Sequence, residues 1–360
     1  MRDEGPAVMP GCNPAKIRLN SHNPPIGKQV STSPSLDVSG ILNFLSSYST
    51  YYIVGHKEPD GDCIGSQLAL GSFLERRGKK TVLLSAGPFT RTEIASWSSR
   101  FAAHIDAPVD ESRAIIVLDC SSLSRIGSLS DELPANTPVA FVDHHASGDA
   151  GGDVRYVDTK APAVTCLVQR IIEASGSSPT KDEAEFLLFG LCTDTGFFRH
   201  LDEKSAEVFG ETARLVAAGA SPKRAFTMMN GGKPFASRKL LGELLLRAES
   251  LFDGKLILST MNLADQAAYG LVGRDSDMLY QLLLTVAGME VAVVIRQESP
   301  TECTVGFRSR ETVDVAAISA SFGGGGHRLA AGLHIVGQVE DVKKRIIDAF
   351  EPVFKTHDVT

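Results

Sequence analysis

The 360-residue sequence has no CxxC pair, and its six cysteines (Cys12, Cys63, Cys120, Cys166, Cys192 and Cys303) follow no short regular spacing. That argues against a disulfide scaffold and against a thiolate zinc site, and it fits a reducing compartment. There is no run of about 18 apolar residues, so no membrane-spanning helix is expected. The N-terminal stretch holds prolines and scattered charges without an apolar h-region, so secretion is not expected either. Basic residues are not in excess: 36 Lys and Arg stand against 43 Asp and Glu, a formal charge of −7. A broad basic face for duplex nucleic acid is therefore not expected. A small anionic substrate stays open, because aspartates gathered around bound cations are neutralised locally. No internal repeat of solenoid length occurs.

What is present is an ordinary globular composition, long enough for two packed units. Residues 1–36 are rich in Pro, Ser, Asn and Gly without hydrophobic period, and read as a mobile tail. Over 37–219, short apolar runs alternate with helical spacing. YYIV, TVLLS, AIIVLD, VAFVD and VRYVD read as buried parallel strands, and residues 62–77, 162–174, 181–192 and 204–218 as covering helices. Strand then helix, repeated, means an α/β fold with a parallel sheet. Residues 220–236, with Pro222, Gly231, Gly232 and Pro234, read as a linker. Residues 237–360 read as a smaller, mixed α/β unit with strands KLILSTM, VAVVIRQ and CTVGFRSR and a terminal helix over 340–355. The expectation is a cytoplasmic two-domain protein.

The acids and histidines fall at strand ends. His56, Asp60 and Asp62 share the loop GHKEPDGD; Asp119 ends AIIVLD; Asp143, His144 and His145 close VAFVD; Asp194 lies in TDTG at the end of a helix. Loops at the carboxyl edge of a parallel sheet converge, so distant segments can deliver side chains to one point. Each piece has a plainer reading: Asp62 could cap its helix, and Asp194 alone would be a turn residue. All four clusters falling at loop ends of one sheet is hard to assign to coincidence. Carboxylates with imidazoles and no thiolate suit manganese or magnesium. Five aspartates packed together repel, and two divalent ions would offset them. Such a pair serves in-line attack at phosphorus, with one ion activating a bridging water.

These residues resemble a known family. HKEPDGDCIGSQLAL, IVLDCSS, VDHHASG and LCTDTGFF look like the four ordered motifs of the DHH phosphoesterases, and FRSRETVDVAAISASFGGGGHRLAAG looks like their C-terminal domain with its GGGGH signature. The resemblance covers roughly residues 37–355 and is nearest to the short two-domain nanoRNase and pAp phosphatase branch. It implies that His56 and Asp60 hold one metal, that Asp62, His144 and Asp194 hold a second, and that Asp119 bridges both. It further implies that Asp143 orients the neighbouring imidazole, and that His145 meets the scissile phosphate as a contact or proton donor. Arg308 and His327 would contact the substrate. Cys63, Cys120 and Gly306 stand where the family more often has other small residues.

The glycine run Gly323, Gly324, Gly325 and Gly326 reads independently as a loop leading into a helix, where backbone N–H groups approach an anion. Arg308 and Arg310 alternate along a strand and would share a face. The expected function is hydrolysis of short single-stranded RNA or DNA oligonucleotides to mononucleotides, with pAp as a further substrate (a 3′(2′),5′-bisphosphate nucleotidase activity). Manganese is the expected ion, with magnesium or cobalt as alternatives, and a homodimer is compatible with the sequence. Two other readings compete: a phosphodiesterase for linear or cyclic dinucleotides, and a non-catalytic nucleotide-binding protein.

Overall fold

A computed structural model describes residues 37–105, 112–134, 136–145, 148, 151–270 and 276–355. The segment read as an N-terminal tail lies outside them. In chain order the elements are α1 (Ser39–Ser47), β1 (Thr50–Val54), α2 (Gly61–Arg76), β2 (Lys80–Leu84), β3 (Arg113–Leu118), β4 (Val139–Asp143), β5 (Val154–Val157), α3 (Val164–Ala174), α4 (Lys181–Asp194), α5 (Ala206–Ala217), α6 (Pro222–Asn230) and α7 (Phe235–Leu246). There follow β6 (Glu249–Leu251), β7 (Leu256–Met261), α8 (Leu263–Tyr269), α9 (Ser276–Leu284), β8 (Val291–Ser299), β9 (Glu302–Ser309), α10 (Val315–Ser321), β10 (Gly325–His327), β11 (Ala330–Val336) and α11 (Val339–Lys355).

The first sheet has order β2-β1-β3-β4-β5 and is parallel throughout. Its strands are apolar at successive positions because both faces are covered. Tyr51, Ile53, Ile116, Leu118 and Val142 pack under α2, α3 and α4, while Tyr52, Val54, Val117 and Phe141 pack on the opposite side against Ile126 and Leu129. Register aligns Val54 with Val117, and Leu118 with Val142, so the strands finish at one edge. The loops that follow them start from nearly one line.

Two helices on that sheet cross at glycine. A methyl group on Gly65 of α2 would lie 2.6 Å from the Phe186 carbonyl oxygen of α4 and 3.4 Å from the Gly190 Cα. Only hydrogen on both sides lets the backbones approach this closely. The crossing is pinned at its far end by Glu183, fully buried, whose Oε1 and Oε2 accept from Arg76 Nε (2.8 Å) and Nη2 (3.2 Å). Glu183 also completes a capping box with Thr180 at the start of α4.

The second sheet has order β10-β11-β9-β8-β7-β6 and is mixed: β7 and β8 run parallel, and every other pair is antiparallel. Its odd-numbered residues on β8, β9 and β11 face α10 and α11, with Val293, Val305, Phe307 and Phe350 at the centre. The opposite face is covered by α7 and α9 only over part of its width, through Leu240, Leu279, Tyr280 and Ala292.

Three expectations change. The stretch read as a linker contains α6, capped by Ser221 with Pro222 in its first turn, and Ala225 is buried in the first unit's core. Proline there starts a helix rather than breaking one, because the first-turn N–H needs no partner. The glycine run opens no helix: it follows α10, and Gly325 and Gly326 enter the hairpin strand β10. Finally, β9 stops at Ser309, so Arg310 lies beyond the strand and does not extend the face of Arg308.

Replacing Gly65 with alanine should lower stability by about 1–3 kcal/mol through overpacking against backbone. A urea denaturation midpoint unchanged from the parent chain would contradict the close crossing.

Candidate metal centre

The parallel sheet places the predicted groups at its carboxyl edge. His56 follows β1 directly, Asp119 follows β3, Asp143 ends β4 with His144 and His145 next, and Asp194 is the last residue of α4. Asp60 caps α2, with Oδ1 accepting the backbone N–H groups of Asp62 and Cys63 (3.1 Å each). Asp62 does something the sequence did not suggest. Its two oxygens accept the N–H groups of Val164 (2.6 Å) and Thr165 (2.9 Å), so it caps α3, which has no side-chain cap of its own.

Asp119 sits at the middle. Its backbone is left-handed (φ 61°), a conformation that costs a non-glycine residue energy and that the surrounding structure must hold. One oxygen, Oδ2, lies 3.4 Å from His56 Nε2, and the other, Oδ1, lies 3.5 Å from His144 Nε2. His56 Nε2 is also 3.8 Å from Asp60 Oδ1, and His144 Nε2 is 3.5 Å from Asp194 Oδ2. Ligand atoms of Asp62, His144 and Asp194 all lie within 4.8 Å of one another. Asp119 is buried, and its Oδ1 accepts no hydrogen bond. A buried carboxylate oxygen without a donor is costly unless a cation meets it.

The imidazoles are turned for that purpose. His56 Nδ1 donates to the Lys57 carbonyl (2.8 Å) and His144 Nδ1 to the Ala161 carbonyl (3.1 Å). A carbonyl only accepts, so in each ring Nδ1 carries the proton and Nε2 faces the carboxylates. This is the orientation that metal-bound histidines take from their outer partners. Asp143 does orient an imidazole, but that of His145 rather than His144. Its Oδ1 accepts from His145 Nδ1 (2.7 Å) and from the His144 backbone N–H (2.8 Å), and its Oδ2 from Ser121 Oγ (2.5 Å). Burial works to raise the Asp143 carboxyl, but the donors of His145 and Ser121 prevail and hold it below the ordinary range.

Electrostatics reports the same crowding. Burial pulls His56 down, yet the carboxylates of Asp119 and Asp60 overcome it and hold the imidazole up to about 10. His144 is raised in the same way, its burial outweighed by Asp119 and then Asp62 and Asp194. Burial, then the neighbouring carboxylates, holds Asp62 and Asp194 well above the usual carboxylate range. Protons here do the neutralising that cations would do. Cys63 stands beside His56 and Asp119, but burial and the nearby carboxylates push its thiol far up, so it is an inert neighbour and a poor ligand.

The donor set of carboxylate oxygens and two imidazole nitrogens suits hard divalent ions. His56, Asp60, Asp62, Asp119, His144 and Asp194 are the residues that could hold them. Ser121 and the Ala161 carbonyl were not singled out from sequence. The serine in the run DCSS, two positions after Asp119, was the available signal. Arg308 lies on β9, and Gly323, Gly324, Gly325, Gly326 and His327 lie in the turn after α10 and in β10.

Comparison with known proteins agrees with this geometry. Residues 50–191 match the DHH family N-terminal domain, and residues 254–356 match the DHHA1 domain. The chain carries a DHH domain followed by a DHHA1 domain. It is 29% identical to the bifunctional oligoribonuclease and PAP phosphatase NrnA of Thermus thermophilus over 83% of this chain and 88% of that one. It is 24% identical to the protein of the same name from Bacillus subtilis, over 88% and 99%. The crystal structure of an exopolyphosphatase-related protein from Bacteroides fragilis shares the fold, with TM-score 0.79 and 22% identity over 88% of this chain and 97% of that one.

Two outcomes follow for this DHH-domain chain. A histidine raised from 6.5 to about 10 contributes stability that is complete below the lower value and lost as pH climbs to the upper. The raised carboxyls of Asp62 and Asp194 act with the same sign. The metal-free chain should therefore lose urea resistance between pH 6.5 and 10, and His56→Gln should flatten that slope. Equal slopes in the two proteins would rule the assignment out. In manganese titrations followed by calorimetry, Asp119→Asn should weaken binding by more than about 100-fold, whereas Ser121→Ala, whose hydroxyl holds Asp143 rather than a residue that could hold the ion, should weaken it far less. The reverse ranking would remove Asp119 from the centre.

Proposed function

We propose that this chain is a manganese-dependent phosphoesterase that trims short oligoribonucleotides to mononucleotides and removes a phosphate from pAp. The observation that carries the reading is Asp119, whose two oxygens face two oriented imidazoles within a ring of further carboxylates. The names of the Thermus and Bacillus relatives support the substrate class. All five described cysteines are free and buried, which supports a reducing, cytoplasmic setting. No helix among the described residues is long and apolar enough to cross a membrane.

In this reading residues 37–219 form the catalytic domain and residues 237–360 the substrate-binding domain. His56 and Asp60 hold one ion, Asp62, His144 and Asp194 hold the second, and Asp119 contributes to both. Bound there, two divalent ions supply Lewis-acid activation of water and neutralise charge developing at phosphorus. The chain's own work is positioning. His145, fixed through Nδ1 by Asp143, presents Nε2 to the scissile phosphate as a contact and as proton donor to the leaving oxygen. Arg308 and His327 hold the far part of the substrate, and Arg308 suits a phosphate through its planar fork of donors.

The full chain with manganese should release mononucleotides from labelled RNA of dinucleotide to pentanucleotide length, and His145→Ala should slow release severely while manganese still binds. Parallel assays with pApA, cyclic di-AMP and pAp rank the substrates. Absence of product from all of them, with manganese shown bound by calorimetry, would remove the proposal.

A further inference from the structure

The stretch between the two domains joins a loose segment to a fixed one. It runs from the end of α6 through Gly231, Gly232, Lys233 and Pro234 into α7. Gly232 has a left-handed backbone (φ 70°), and a methyl group there would meet nothing within 4 Å. Beyond it α7 packs on α8, α9 and β7 of its own domain. Lys233 runs against this pattern. Its ammonium turns back to the DHH domain, donating to Thr92 Oγ1 (2.6 Å) and lying 3.6 Å from Glu93 Oε2. The Thr92 hydroxyl in turn donates to Glu93 Oε2 (3.4 Å). The Lys233 and Glu93 side chains are only 12% and 17% exposed, so water screens the pair less than it would at the surface.

The loop that receives Lys233 is firmly placed, and it stands beside the metal centre. It follows β2, whose neighbour β1 leads to His56 and Asp60. The Glu58 N–H, between those two residues, donates to the Gly87 carbonyl at the start of the loop (2.8 Å). At the far end Ile94 is fully buried in a cluster with Ile64, Leu68 and Phe189, and Met228 and Met229 of α6 pack on the same cluster. Lys233 therefore reaches from a glycine hinge to a rigid shelf. A largely buried ammonium stripped of its partners is costly, so the contact gives the connector one favoured setting.

We propose that Lys233 is a latch, a positioning residue that fixes the DHHA1 domain at a set distance from the metal centre and so selects the shortest oligonucleotides. The inference rests on the oligonucleotide reading above and assigns length preference to the connector, through a residue that touches neither metal nor substrate. A substrate held at its scissile phosphate and at its far end must match the span between the two grips. A fixed span favours one length, whereas a connector free to turn at Gly232 accepts several and holds the best-fitting one less well.

The test uses the full chain with manganese and steady-state kinetics on pApA, on an RNA pentanucleotide and on bis(p-nitrophenyl) phosphate, a small ester with no far end to hold. In Lys233→Met, kcat/KM for pApA should fall about tenfold, mostly through KM, and that for the pentanucleotide by about threefold or less. The small ester should be turned over as in the parent chain. Glu93→Gln should act in the same direction, and Lys233→Arg, which keeps the cation, should retain most of the parent's preference. Manganese binding by calorimetry should stay at the parent's value in each variant; its loss would make Lys233 a merely structural residue and overturn the latch. The latch is also overturned if the ratio of the two oligonucleotide kcat/KM values is the same in Lys233→Met as in the parent, or if all three substrates slow together. Failure of the parent chain to hydrolyse the small ester overturns the phosphoesterase chemistry and the latch with it, whereas hydrolysis with an unchanged length preference overturns the latch alone.

Discussion

Mutual repulsion of buried and half-buried carboxylates is the constraint around which the DHH domain is arranged. Asp60, Asp62, Asp119 and Asp194 converge with two imidazoles, and no lysine or arginine forms an ion pair with any of them among the described residues. Such a cluster survives folding only if something positive joins it. In the absence of metal the positive charge is carried by His56 and His144, and by the protons that Asp62 and Asp194 retain. Metal binding then becomes an exchange of protons for cations, which makes affinity rise with pH.

The fold meets the cost of this assembly by spreading it over many backbone contacts. Asp60 and Asp62 are each tied to a helix N-terminus, where the backbone N–H groups favour negative charge. The two ends of α2 are served by different partners: carboxylates and α3 at one end, and the buried Glu183 of α4, which accepts from Arg76, at the other. Gly65 permits the α2–α4 approach that brings Asp194 near Asp62. A residue at left-handed φ, Asp119, is tolerated because the β3 and β4 ladder continues to its N–H, which donates to the Val142 carbonyl at 3.1 Å.

The DHHA1 domain solves a different problem with the opposite chemistry. It leaves part of one sheet face uncovered and lines it with Gly332 and Gly325, at the cost of apolar burial that larger side chains would have supplied. Its charges stand at the margins rather than the centre. The DHH domain thus concentrates charge at one sheet edge, while the DHHA1 domain presents a flat strip of backbone with its charged side chains at the margins.

Much of this was legible without coordinates. The alternation of apolar strands and helices required a parallel sheet, and three of the four acidic and histidine clusters had to lie at its carboxyl edge because strands β1, β3 and β4 end there. The residue types alone, oxygen and imidazole without thiolate, pointed to hard divalent ions as the class such a cluster suits. What sequence could not supply was partnership. That Asp62 caps α3 and not its own helix, that Asp143 holds His145 and not His144, and that Ala161 orients His144 are decisions of packing between segments far apart in the chain. Glycine in the second sheet shows the same limit: Gly306, Gly332 and Gly325 are ordinary residues until strand register places them side by side, and register is a property of the whole sheet. Composition and local periodicity determined which groups exist and roughly where each strand would deliver them. Only the tertiary structure decided which of them touch, because contact depends on side-chain direction and helix crossing, and neither is encoded within a single segment.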